Sequence, residues 1–311
     1  MKLLLESIQD YLAMRRELGF KLRDAGISLS KFASFMNSRG ATRITTQLAL
    51  EWVGQSPSIQ PSTCAQRLGH VRDFARYHIA IDPQTEIPPP NTIPYRAHRA
   101  RPYLYSGEEV RQLLRCAREI APSGGLRSWT YYCLLGLLSV TGLRIGEVIR
   151  LQLQDVNLQD GLLTIRGTKF GKSRLVPIHR STQDVLAEYR ACRDRFVENH
   201  DATAFFFVTK TGNHLDIGDI HRTFYKLSEQ TGLRAPGASH GPRLHDFRHR
   251  FAVQTLLQWY QSGEDAERRL PVLSTFLGHV HIADTYWYLS TCPELMAQAV
   301  ARLEQRWEHR P

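Results

Sequence analysis

HGPRLHDFRHRFAVQTLLQWYQSGEDAERRLPVLSTFLGHVHIADTYWYL, the stretch from His240 to Leu289, decides how this chain is read. It holds three separable pieces. In His245-Asp-Phe-Arg248 an imidazole and a guanidinium lie three apart, so on a helix they share a face. Leu277-Gly278-His279 is a helix-ending glycine followed by a second imidazole. Thr285-Tyr286-Trp287-Tyr288 brings a phenol nine residues beyond His279. A guanidinium, two imidazoles and a phenol are the groups needed to attack a phosphodiester through a covalent intermediate. Each piece alone has a plainer reading, as a solvated helix face, a helix C-cap or core aromatics. The order and the spacing argue for chemistry, and two stretches upstream strengthen the argument.

The first is Thr141-Gly-Leu-Arg144-Ile-Gly-Glu147-Val-Ile-Arg-Leu, which follows an apolar run from Tyr131 to Val140. Gly142 suits a tight turn, and Arg144 would open a new helix whose backbone N–H groups also favour phosphate. A surface ion pair between Arg144 and Glu147 is the competing reading; the apolar helix leading straight into the turn argues against it. The second stretch runs from Leu162 to Ile178, LLTIRGTKFGKSRLVPI. Leu163 and Ile165, then Leu175, Val176 and Ile178, read as two strands, with Gly167 to Lys172 as the turn between them. Gly171-Lys172-Ser173 imitates a phosphate-binding loop. That reading fails because the first glycine would fall at Arg166 and a strand, not a helix, follows.

Together these residues resemble the tyrosine recombinases, the phage-integrase and Xer-type enzymes. The resemblance covers roughly residues 104 to 292. It implies a catalytic set of Arg144, Lys169, His245, Arg248, His279 and Tyr288. Lys169 meets the family's spacing of five residues before the arginine of R-L-V-P, here Arg174; Lys172 is the neighbouring candidate. The chemistry fits the residue types. Two arginine forks suit the non-bridging phosphate oxygens better than lysines would. Tyr288 would attack and hold the DNA 3′ end, and that covalent bond would make ATP unnecessary. The histidines would assist by proton transfer or hydrogen bonding, and Lys169 would protonate the leaving 5′ oxygen. Asp246 and Glu147 take orienting and structural roles. The resemblance implies no cofactor, and no carboxylate cluster at metal-site spacing is seen. One departure from the family is the longer polar segment from Gln261 to Arg269.

Composition agrees with a polyanionic partner. The chain has 311 residues, a net charge of +10 and a pI near 9.6, as nucleic-acid-binding proteins do. The five cysteines, Cys64, Cys116, Cys133, Cys192 and Cys292, are odd in number and scattered, which points to a reducing compartment. The start, MKLLLESIQD, has too short an apolar run for a signal peptide, and Tyr131–Val140 is half a membrane span. A cytoplasmic protein without membrane contact is expected.

The expected fold is mainly α with a small antiparallel sheet, in two domains. Residues 1–82 read as four helices, which in size and helix count resemble the recombinases' N-terminal core-binding (SAM-like) domain. The third of these starts at Thr45 or Thr46, and the fourth opens at Pro61 and runs to about Ile79. Arg67, Arg72 and Arg76 lie on that fourth helix and are candidates for DNA-backbone contact. Residues 83–102, PQTEIPPPNTIPYRAHRARP, hold six prolines and read as a stiff linker. Arg96, His98, Arg99 and Arg101 load it with charge, so the three arginines join Lys172 and Arg174 as backbone-contact candidates. The catalytic domain takes 103–311. Within it Ser106-Gly-Glu-Glu109 predicts a capping box, and Ser128 or Thr130 starts the buried helix. The spacing also predicts a helix from Ser181 to about Asn199 with Phe196 inward, a strand at Ala204–Val208 and a helix from Ile220. Thr291-Cys-Pro-Glu294 predicts the cap of a last helix whose apolar side is Met296, Val300, Leu303 and Trp307. That helix would pack in cis or dock on a neighbour in a tetramer assembled on DNA. The function so implied is site-specific recombination. The alternatives are relaxation of DNA by a type IB topoisomerase and a non-catalytic DNA-binding accessory role.

Overall fold

The computed structural model describes residues 2–55, 58–95, 101–167, 173–196, 204–290 and 293–308. The chain divides into two compact units, Met1–Ala100 and Arg101–Pro311. Lys169, Lys172, Arg96 and Arg99 lie outside the described residues, as do the Thr291 cap and the side chains of Leu303 and Trp307.

The first unit is a bundle of α1 (Lys2–Glu17), α2 (Arg23–Ser38), α3 (Thr46–Gly54) and α4 (Pro61–His78). Ile8, Leu29, Phe32, Met36, Trp52, Leu68, Val71 and Phe74 fill its centre. Of the two candidate caps for α3 it is Thr45 that acts, its hydroxyl accepting from the Leu48 N–H at 3.2 Å. Pro61 takes the first turn of α4, where its missing N–H costs nothing. The proline-rich segment that follows is held at its start. The Glu86 N–H donates to the Ile44 carbonyl at 2.9 Å, and Arg72 donates to the carbonyls of Pro88 and Pro89, each at 2.7 Å. Prolines lack N–H donors but keep their carbonyls, and Arg72 takes two of them. Arg72 therefore anchors this segment and does not extend freely into solvent.

The second unit begins with α5 (Gly107–Arg118), whose capping box between Ser106 and Glu109 is complete. The buried α6 (Leu126–Thr141) starts before either expected cap, at Gly125. Ser128 and Thr130 sit in its first two turns, and their hydroxyls bond back to the carbonyls of Gly125 and Leu126, both at 2.8 Å. α7 (Ile145–Val148) is a single turn. The sheet has three antiparallel strands in the order β1 (Val156–Asn157), β2 (Leu162–Ile165) and β3 (Arg174–Pro177), with Leu163 opposite Val176. The two-residue β1 carries too little pattern to be seen in the sequence. α8 (Arg180–Phe196) ends with Phe196 half exposed, not inward. Residues 204–208 make two isolated bridges, Gln152 with Phe205 and Val208 with His214, and not the expected strand. Phe206, Phe207 and Val208 are nonetheless fully buried, which is what their apolarity reported.

α9 (Ile217–Gln230) begins at an Asp216 cap, three residues ahead of expectation. α10 (Asp246–Gln261) and α11 (Ala266–Leu277) follow, the latter capped by Asp265. Part of the polar insertion is thus a helix start. α12 (Ala283–Tyr286), a 3-10 turn (Trp287–Ser290) and α13 (Pro293–Glu308) complete the chain. The large core gathers around α6 and the sheet. A separate small core joins Ala252, Leu256, Leu270, Leu273 and Leu277 with Tyr288 and Leu295. Leu295 points into that core, while Met296 and Val300 face out, about half exposed. Most described residues are helical, and the one sheet is antiparallel.

Candidate active site

The site forms where the start of α7, the first turns of α10, the C-terminal end of α11 and the 3-10 turn meet. Gly142 ends α6 in the left-handed conformation (φ 61°). Such a φ is open to glycine at little cost, and a Cβ there would lie 2.8 Å from the Phe251 ring. The chain turns and sets Arg144 at the head of α7. Gly278 does the same for α11 (φ 71°) and delivers His279. The two helix ends named by glycines in the sequence are therefore the two corners of the site.

Arg248 is 1 % exposed. Burying a guanidinium demands hydrogen-bond partners, and it has them. Nη1 donates to the Gly142 carbonyl at 3.0 Å and Nη2 to the Leu277 carbonyl at 2.8 Å. Both acceptors are carbonyls left over at helix ends. Arg248 so ties the two corners together and also bonds the Tyr288 hydroxyl. Burial first, then the charge of Arg144, lowers its pKa to about 10, which leaves it protonated at neutral pH.

Arg144 is half exposed (38 % of its side chain), with Nη1 on Glu147 Oε1 at 3.0 Å and Nη1 and Nη2 at 3.4 and 3.3 Å from the Gly278 carbonyl. The ion pair with Glu147 thus exists, and the carboxylate is buried. The Arg144 N–H also goes to Glu147, at 3.0 Å, so it is not left for phosphate. Burial would raise the Glu147 carboxyl. Hydrogen bonding and charge from Arg174, then the N–H and charge of Arg144, outweigh it and hold the group below the usual range. Arg174, a backbone-contact candidate in the sequence, is turned inward on Glu147.

His245 precedes α10, and Asp246 behind it is 1 % exposed and accepts from the Arg243 N–H at 2.8 Å and its guanidinium at 3.0 Å. Desolvation first, then Arg248 and Arg144, pushes His245 down to about 4. His245 is itself exposed, with the charges of Arg248 and Arg144 beside it. The imidazole is neutral at pH 7. His279 Nδ1 meets Thr285 Oγ1 at 2.6 Å, and its ring stacks on Tyr288 with centroids 5.9 Å apart.

Tyr288 is 1 % exposed and Tyr286 48 %. Two positions apart on a tight helical path, they face opposite environments. Tyr288 lies with the cluster, and Tyr286 is at the surface. Two participants carried no clear sequence signal. His249 is buried and its ring lies edge-on to His245, Trp287 and Tyr288 at 4.9, 5.1 and 5.5 Å. Its place beside Arg248 was the available hint. Thr285 is fully buried and orients His279; nothing marks it among the threonines. Arg67 lies over the Trp52 ring and Arg76 pairs with Asp73 at 3.3 Å, both within the first unit. Among the described residues no group of three His, Cys, Asp or Glu side chains is arranged to hold a metal, and no helix is long and apolar enough to cross a membrane.

Comparison with known proteins bears on this geometry. Residues 105–294, more than half of the chain, match the phage integrase family. The integrase/recombinase-type protein y4rB of Sinorhizobium fredii is 54 % identical over 308 residues, covering 98 % of both chains. The tyrosine recombinase XerD of Brucella abortus is 28 % identical over 256 residues, 81 % of this chain and 77 % of that one. Among solved structures, the Tn1549 transposon integrase in complex with transposon right end DNA superimposes with a TM-score of 0.68 at 13 % identity, covering 97 % of this chain and 98 % of that one. At that identity the likeness is one of fold.

Proposed function

The chain belongs to the phage integrase family, whose members cut and rejoin DNA, and from that premise we propose that it is a site-specific recombinase working through a covalent 3′-phosphotyrosyl intermediate. Arg144 and Arg248 bind the non-bridging oxygens of the scissile phosphate and stabilise the charge that builds there. Tyr288 Oη attacks phosphorus, a bond forms to the phenol oxygen, and the bond to the 5′ oxygen breaks. The neutral His245 accepts the phenol proton or hydrogen-bonds the phosphate, and His279 supports the same oxygens. Lys169 gives the departing 5′ oxygen its proton. Rejoining is the reverse, with a 5′ hydroxyl attacking the phosphotyrosine. The bond energy is kept, so neither ATP nor a metal is required for the chemical step.

The observation that carries this reading is the meeting of Arg144, Arg248, His279 and Tyr288 at two glycine-ended helices, with the Tyr288 hydroxyl on the Arg248 guanidinium. In the same reading the helical bundle of residues 1–82 is the core-binding domain, Arg96, Arg99 and Arg101 follow DNA phosphates, and protomers assemble as a tetramer on two duplexes.

The test uses a duplex site recovered from a randomised library by binding to the full chain, then nicked beside the cleavage position to trap the intermediate. The wild-type chain forms a covalent adduct that survives denaturing electrophoresis, in EDTA as in magnesium. Tyr288→Phe binds the duplex and forms none, and Tyr286→Phe keeps it. Peptide mapping that placed the DNA on Tyr286, or a chain that binds without any adduct, would overturn the reading.

A further inference from the structure

Arg174 opens β3, yet its side chain is only 9 % exposed. Nε donates to the Phe276 carbonyl at 2.8 Å, Nη1 to Glu147 Oε1 at 3.2 Å and Nη2 to Glu147 Oε2 at 2.9 Å. The guanidinium also lies against Gly278, where an added Cβ would stand 2.6 Å from Nη1 and 2.8 Å from Cζ. Arg174 has turned its fork onto the end of α11 and onto the carboxylate that also holds Arg144.

The arrangement has an electrostatic consequence. Glu147 is a buried anion (3 % of its side chain exposed) between two cations. A buried charge must be paired. With Arg174 gone, Arg144 is the cation left, and Glu147 closes on it with both oxygens. The Arg144 charge is then neutralised inside the protein, and its fork is no longer free for a phosphate. The end of α11 loses its hold at the same time, and with it the Gly278 carbonyl that Arg144 touches and the His279 that follows.

We propose that Arg174 is a positioning residue for strand cleavage: by holding Glu147 and the C-terminal end of α11, it keeps Arg144 and His279 at one phosphate. This rests on the roles given above to Arg144 and Tyr288.

The test measures adduct formation by the full chain on the nicked duplex, with DNA affinity and its salt dependence measured separately. Arg174→Gln should slow cleavage at saturating DNA by about 10- to 100-fold, the range expected for misplacement of about 1 Å. The half-saturating DNA concentration and its salt slope should stay within about twofold of wild type. Arg174→Lys keeps the charge without the branched fork and should recover part of the rate. Unchanged cleavage by Arg174→Gln overturns the proposal. So does weaker binding with a flattened salt slope, which would make Arg174 a backbone contact. If Arg174→Gln does not fold, Arg174→Lys decides in the same way: slower cleavage with unchanged binding supports the proposal, and unchanged cleavage refutes it. A wild-type chain that forms no adduct would overturn the parent reading, and this inference with it.

Discussion

Gly278→Ala separates backbone strain from damage to the site. Gly278 has φ 71°, and an L residue there costs roughly 1–2 kcal/mol. The added Cβ also falls 2.6 Å from Arg174 Nη1. Carbon contacts settle at about 3.5 Å or more, so the guanidinium must retreat by roughly 1 Å. It cannot do so and keep its bonds to Phe276 and Glu147 at 2.8–3.2 Å. Gly232 provides the control. Its φ is 73°, and nothing lies within 4 Å of its Cβ position. Both alanine variants should therefore lose about 1–2 kcal/mol in urea unfolding, Gly278→Ala somewhat more. Only Gly278→Ala should lose cleavage, by about 100-fold, as a shift of about 1 Å in a catalytic frame can produce. Equal cleavage by the two variants on the nicked duplex would refute the reasoning, because the packing of Arg174 against Gly278 would then not matter to the site.

Three further outcomes are expected. Lys169→Ala should cripple cleavage of ordinary DNA and be rescued by a bridging 5′-phosphorothiolate, whose sulfur leaves without a proton; Lys172→Ala should behave nearly as wild type, and the reverse pattern would move the role to Lys172. His245 is depressed in the fold to about 4 from a reference near 6.5. The unfolded chain therefore takes up a proton that the folded chain refuses as pH falls. Stability should be retained above about pH 6.5 and decline towards pH 4, and urea titrations of His245→Asn should show a shallower decline over that window. Removing residues 293–311 would strip Leu295 from the small core, so the trans-docking of α13 is better tested at its exposed side. Met296→Ser with Val300→Ser should leave stability within about 0.5 kcal/mol and reduce strand exchange while sparing adduct formation; exchange at the wild-type rate would mean that α13 does not couple protomers.

The family was legible because its marks are residue types at short spacings. The H-x-x-R pair, the Gly-His corner at Gly278 and the tyrosine nine residues on are local patterns, and a helix or a glycine turn converts them directly into geometry. Helix existence was equally local: Thr45 and Ser106 start helices through bonds to residues three away, and Pro61 through its fixed φ. Helix starts failed where the competing signals were equal, as at Ser128, whose hydroxyl serves the preceding turn as readily as it would cap one. Apolar Ala204–Val208 was read as a strand because burial and strand formation look alike in one dimension. Whether it pairs depends on neighbours far along the chain.

What only tertiary structure decided is the use of the arginines. In sequence, Arg72, Arg144, Arg174 and Arg248 are four basic residues in a basic chain, and charge alone sends all of them to DNA. In the fold, Arg72 binds proline carbonyls, Arg174 binds Glu147 and a helix end, and Arg248 is buried under Tyr288 on two such ends. Arg144 stays half in solvent. A guanidinium goes wherever unpaired carbonyls or a buried carboxylate converge on it, and apart from Glu147, three residues from Arg144, those acceptors lie 16 to 134 positions away. No local pattern records that convergence. The sequence by itself determined the residue types and spacings that mark the family; the fold decided which guanidiniums are turned onto carbonyls and a carboxylate and which one stays half in solvent.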